Sequence, residues 1–115
     1  MDKKFKLNAS QIKRLTPKIG YCFATDEITV LGEKVGYMYR EKPSDANDSG
    51  WRFFSGKEAS IYVDNPYNTH IFDTNTIANY DQDIIPFLNS PFNSAFIRDP
   101  LTKKFVKEKL KIGYQ

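Results

Sequence analysis

Asp48-Ser-Gly-Trp-Arg-Phe-Phe-Ser-Gly56 holds the sole tryptophan of a 115-residue chain, directly after its most polar loop. Strand side chains alternate, so Trp51 and Phe53 share one side while Arg52 and Phe54 share the other. Trp and Phe bury large apolar areas, which places the Trp51 side in a core. Arg52, facing inward, would need a carboxylate or open solvent. Upstream, Val35-Gly-Tyr-Met-Tyr-Arg-Glu41 reads as a second strand with Val35, Tyr37 and Tyr39 on one face. Joined by the loop 42–50, the two runs predict a long-looped antiparallel hairpin at the centre of a sheet.

Working outward, the chain is long enough for one domain with a core that needs no staples. A hydrophobic share of 40% and an aromatic share of 15% place it among folded globules rather than disordered chains. No apolar run approaches the roughly 20 residues of a membrane helix, so no membrane partner is expected. The basic start Met-Asp-Lys-Lys-Phe-Lys is not followed by an apolar signal core. One cysteine, Cys22, excludes an internal disulfide and fits a reducing cytoplasm.

The net charge of +3 hides a strong asymmetry. Residues 1–20 hold six Lys/Arg against one acid, and residues 98–115 hold six against two. The middle, 21–97, holds five against eleven, a net of −6. An acidic centre with basic ends is not the stripe of a duplex binder, so a nucleic-acid partner is not expected. Lysine-solvated termini explain the pattern simply; an acidic surface offered to a basic partner explains it functionally.

Along the chain, Asn8, Gln11, Leu7 and Ile12 give a capping box and a staple, predicting a helix that Pro17 ends. Tyr21–Thr25 reads as a strand, and Ile28–Leu31 as a strand or a helical turn before Gly32. Ser55 and Glu58 repeat the capping-box spacing, predicting a helix over 57–63 that Asp64-Asn-Pro66 stops. Thr69–Phe72 reads as a further strand, and Asp73 as the cap of a helical turn through Asn79. Asp83 is expected to cap another turn, with Pro86 in its first turn and Phe87-Leu88 facing the core. Ser94–Arg98 and Lys104–Val106 form a terminal hairpin around Asp99-Pro100. The end from Lys107 on reads as frayed or loosely helical.

Tested for chemistry, most motifs fail. Asp45-Ala-Asn-Asp-Ser-Gly50 mimics the opening of a calcium loop, but position twelve is Gly56 where a bidentate glutamate is needed. One Cys and one His supply two of the four ligands a structural zinc requires, so no metal and no cofactor are expected. Cys22 and His70 could pair as nucleophile and base, yet no local catalytic signature surrounds either, and packing roles are commoner. Gly32 and Gly36 lack the spacing and the following helix of a phosphate loop. Asp64, Asp73, Asp81 and Asp83, interleaved with Asn65, Asn68, Asn75 and Asn79, could hold magnesium or do paired-acid work. Their positions before predicted helical turns favour capping instead.

The runs GYCFATDEITVLGEKVGYMYREKP, DSGWRFFSGKE, IFDTNTIANYDQDIIPFL and SAFIRD resemble a bacterial family. It is the domain of unknown function numbered 2185, later classed as immunity protein family 33. The resemblance covers about Gly20 to Val106. Its most specific parts are the Asp48–Gly56 run, Asn75–Tyr80 and Asp83–Pro86. It implies an intracellular antidote that binds a protein toxin, with no established catalytic residues to carry over. Residues 1–19 then form a basic N-terminal helical extension, 20–106 the family-like core and 107–115 a tail, within a single domain.

The expected fold is α+β, a mainly antiparallel sheet with short helices packed at its side. The first functional reading is a non-enzymatic protein-binding domain that occludes a toxin, a basic one if an acidic face does the binding. Its candidate contacts are Asp45, Asp48, Asp64, Tyr67, Asp73, Tyr80, Asp81 and Asp83, since tyrosines among acids suit protein recognition. The alternative is a small enzyme or ligand-binding domain using the Asp/Asn-rich segments of 64–83. A nucleic-acid binder using the basic ends and Trp51 comes third. No motif sets an oligomeric state.

Overall fold

Six strands carry the architecture: β1 Tyr21–Thr25, β2 Tyr37–Arg40, β3 Asp48–Phe54, β4 Thr69–Asp73, β5 Ser94–Arg98 and β6 Phe105–Glu108. The computed structural model describes residues 3–109. The strands form one sheet in the order β4-β1-β3-β2-β5-β6. Every pairing is antiparallel except β1 with β3. With a few short helices beside it, the fold is α+β.

The hairpin read from the sequence lies near the sheet centre, with Met38 opposite Phe53 and Arg40 opposite Trp51. Trp51 and Phe53 are 0% and 1% exposed and stack with ring centroids 5.8 Å apart. The indole N–H donates to the Leu88 carbonyl at 3.1 Å, so its polar edge is satisfied inside the core. Gly50 sits at φ +86° where a Cβ would strike the Glu41 carbonyl, which lets the two strands close at the hairpin mouth.

One face reading needs correction. The second strand begins at Tyr37, and its buried residue is Met38, between Phe53 and Phe96; Tyr37 and Tyr39 look the other way. Val35 is buried, but it precedes the strand and does not belong to the tyrosine face.

Two of the short helices send residues into the Trp51 core. Helix α1, Asp26–Thr29, resolves the choice at Ile28 in favour of a helical turn, and Ile28 enters the core. Helix α2, Ser60–Asp64, starts three residues later than the capping-box spacing predicts. The Glu58 carboxylate accepts the N–H of Ser55 at 2.7 Å and of Gly56 at 3.0 Å, and the Thr25 hydroxyl at 2.5 Å. Those bonds hold 55–58 as a loop. Helix α3, Thr74–Tyr80, is capped by Asp73 as read, with the Asn75 N–H donating to its carboxylate at 2.9 Å. The following 3-10 run, Gln82–Phe87, is capped by Asp81 and not by Asp83, which donates its own N–H to Asp81 at 3.0 Å. Leu88 reaches the core as expected and Phe87 packs at its edge.

The N-terminal helix is not formed. Asn8 and Gln11 do make the capping box, but it closes a single 3-10 turn, Ala9–Gln11. Beyond it the chain runs without a helix from Ile12 to Gly20. Lys107 and Glu108 belong to β6, which corrects the reading of a frayed end there; residues 110–115 lie outside the described residues.

Candidate partner-binding site

The acidic candidates separate into three places. Around Tyr21 the register brings Asp48 on one side and Asp73 on the other, because β1 lies between β3 and β4. The Tyr21 hydroxyl donates to Asp45 at 2.8 Å. Tyr21 therefore gathers three of the predicted acids, although it was not among the candidates. Its signal was faint: one tyrosine at the start of a short strand, paired with residues 27 and 52 positions away.

Asp48 is buried and is not a surface group. Arg52 donates to it twice, Nη1 to Oδ1 at 3.0 Å and Nη2 to Oδ2 at 2.8 Å. The guanidinium also reaches Glu41 at 2.6 Å and lies over the Phe23 ring, 4.4 Å from its centroid. The need for a carboxylate partner at Arg52 is met by these two acids. Burial alone would push the Asp48 carboxyl up. The bonds from Arg52 and from the N–H groups of Ser44 and Gly50 outweigh it and hold the group well below the usual carboxylate range.

Asp81 and Asp83 form the second place. Asp81 is buried, accepting from Arg98 at 2.7 Å and from the Val35 N–H at 3.0 Å. Asp83 is exposed and accepts from the same arginine at 2.9 Å. The third place is the end of α2, where Asp64 and Tyr67 are exposed. Lys3 stacks over the Tyr67 ring at 3.6 Å and pairs with Asp26. Tyr80 is half-buried, and its hydroxyl ties Thr29 to Leu7, with the Leu7 N–H donating to it at 3.0 Å. The structure thus keeps Asp45, Asp64, Tyr67, Asp73 and Asp83 accessible and withdraws Asp48, Asp81 and most of Tyr80.

The asparagines of the ligand-binding alternative have structural partners. Asn75 Oδ1 accepts the N–H groups of Leu15 at 2.7 Å and Thr16 at 3.1 Å, and its amide donates to Lys13. Asn79, one turn on, accepts from Lys13 at 3.0 Å and donates back at 2.8 Å. Together they clamp the N-terminal segment to α3. Asn65 caps the Tyr67 N–H at 3.0 Å.

Cys22 is fully buried, and burial pushes its thiol up, so the thiolate is disfavoured. It faces Phe72 across the sheet, while His70 pairs with Ala24. In the calcium-like loop, Asp45 accepts the Asn47 N–H at 2.8 Å and Asp48 turns to Arg52. Among the described residues no group of three or more His, Cys, Asp or Glu is placed to hold a metal, and no helix is long and apolar enough to cross a membrane.

The face opposite Trp51 is lined by strand side chains. Tyr39 stacks on Phe54 with centroids 5.9 Å apart, and Tyr37 touches both rings. Burial and the neighbouring Glu41 push the Tyr39 hydroxyl up to about 12. Tyrosine and other aromatic residues are types enriched where one protein recognises another. The family model described as Immunity protein Imm33 domain matches residues 22–110. The chain belongs to the Imm33 family. The match runs from β1 through β6, so it takes in every strand of the sheet. No curated protein and no solved structure matches this Imm33 chain.

Proposed function

We propose that this Imm33 chain is a bacterial cytoplasmic antidote that binds a protein toxin and neutralises it by occlusion, without chemistry of its own. The observation that carries the proposal is the immunity-domain match over residues 22–110. Geometry supports it: the polar groups that a small enzyme would use in 64–83 cap helices, pair with Arg98 or clamp the N-terminal segment. Of the acids left accessible, Asp73 pairs with Arg14 and Asp83 with Arg98, and Asp45 and Asp64 carry the negative charge suited to steering a basic toxin. Tyr67 stands near Asp64, beyond the end of α2, as an exposed ring.

Co-expression tests the proposal. A toxin domain found in a gene neighbouring that of this chain should stop growth when expressed alone and permit it when the chain is supplied. Growth arrest that the chain does not relieve would overturn the antidote role. Relief accompanied by covalent change to the toxin would transfer the role to the enzymatic alternative.

A further inference from the structure

We infer that the open face of the sheet, opposite Trp51, is the docking surface, and that its occupant is a protein surface with an apolar centre and a basic rim. The inference rests on the antidote reading and names the surface that reading requires. Directly paired residues in neighbouring strands share a face. From β4 to β6, the register therefore puts Ile71, Phe23, Arg52, Tyr39, Ile97 and Val106 on one side.

A sheet face without helices over it usually carries polar side chains. Here Ile71 is 61% exposed, Ile97 40% and Val106 45%, and the aromatic group of Tyr39 and Phe54 lies between them. Apolar surface that continues across several strands marks an interaction site. The helices α1 and α3 contact the sheet from the Trp51 side, and α2 sits by the 3-10 turn Pro66–Asn68 beside β4.

Charge selects the occupant. Three cations stand at this face: Arg52, held by Asp48 and Glu41 and covered by the Phe23 ring, Arg14, paired with Asp73 at 3.8 Å, and Lys18 at the groove on the β1–β4 side. Glu41, Asp73 and Glu108 share the face by register or alternation, and Asp45 stands at its edge against Tyr21. The surplus is acidic. A nucleic acid would be repelled, and a second copy would bring the same surplus to the contact. A basic protein rim is complementary. A groove of about 580 Å³ bounded by Tyr21, Ile71, Asp73 and Lys18 opens at the β1–β4 side and gives a protruding partner side chain a seat.

The probe is the purified toxin domain whose growth arrest this chain relieves on co-expression, titrated into wild type, Ile71→Glu, Ile97→Glu and Tyr39→Ala. Ile61→Glu on α2 and Leu101→Glu in the β5–β6 turn are controls, because both residues are exposed and neither belongs to a strand of the sheet. Each face variant should weaken binding by roughly 30-fold or more, the loss expected of a hot spot. The controls should stay within about twofold, and melting curves confirm that each variant is folded. Face variants that are folded and bind like wild type would overturn the docking surface while leaving the antidote reading intact. A wild-type chain that binds no toxin would remove both. A wild-type dimer that Ile97→Glu converts to a monomer would give the face to a second copy and overturn the basic-partner assignment.

Discussion

The Arg52 guanidinium meets the Asp48 carboxylate through two parallel bonds, at 3.0 and 2.8 Å, inside the strand that also carries Trp51. The Asp48 side chain is fully buried, so its charge depends on that guanidinium and on two backbone N–H groups. Removing one partner of a buried pair leaves the other uncompensated. Asp48→Asn is expected to cost about 3–5 kcal/mol, measured by urea unfolding at neutral pH. The same pair makes stability depend on acid. The folded Asp48 value is depressed, so its contribution is complete above the unfolded value of about 3.9 and is lost as pH falls through the lower folded value. The gap in stability between wild type and Asp48→Asn should therefore stay constant from neutral pH to about 5 and narrow below about 4. A gap that persists unchanged into strong acid would contradict the pair's role.

Trp51 tests the core in the same way. It is fully buried, stacked on Phe53 and bonded to Leu88. Trp51→Ala should cost roughly 3–5 kcal/mol in denaturant unfolding. A melting temperature that does not move would remove this strand from its organising position.

Cys22 should be inert. Its sulfur is buried and its thiol is pushed up, so a colorimetric thiol reagent at pH 8 should label it only after unfolding. Labelling of the native chain at the rate of a free peptide thiol would show an exposed thiolate and revive a catalytic role for it.

How much of this was legible follows from which contacts are local. The hairpin could be read because Trp51 and Phe53 alternate with Arg52 and because Gly50 marks its mouth. The buried side of β2 was misread: two tyrosines outweighed one methionine in the sequence, yet Met38 is the residue between Phe53 and Phe96. The N-terminal helix failed because Asn8 and Gln11 signal a start, while Ile12 and Leu15 alone give too little apolar surface to continue it. Side chains from α3 hold that segment instead, and residues 60 positions away leave no local trace. The parallel β1–β3 pair was hidden for the same reason. In the site, chain spacing could mark Asp81 and Asp48 as acids but not as buried ones, since Arg98 and Arg52 decide that in space.

Association with the toxin should respond to charge placed on the accessible acids. Asp45→Lys combined with Asp64→Lys should slow association about tenfold at low salt and flatten its salt dependence, with unfolding nearly unchanged. Stopped-flow mixing at two ionic strengths reads both effects. Binding that ignored both salt and the reversals would remove the steering field without removing the antidote role.

Occlusion is tested most directly by titrating toxin activity against the chain. A stoichiometric antidote lowers activity in proportion to the amount added, and activity reaches zero at a fixed molar ratio. That line is the predicted result. Complete loss of toxin activity at a small fraction of one equivalent would mean turnover, and activity that never falls would mean no neutralising complex; either result contradicts occlusion.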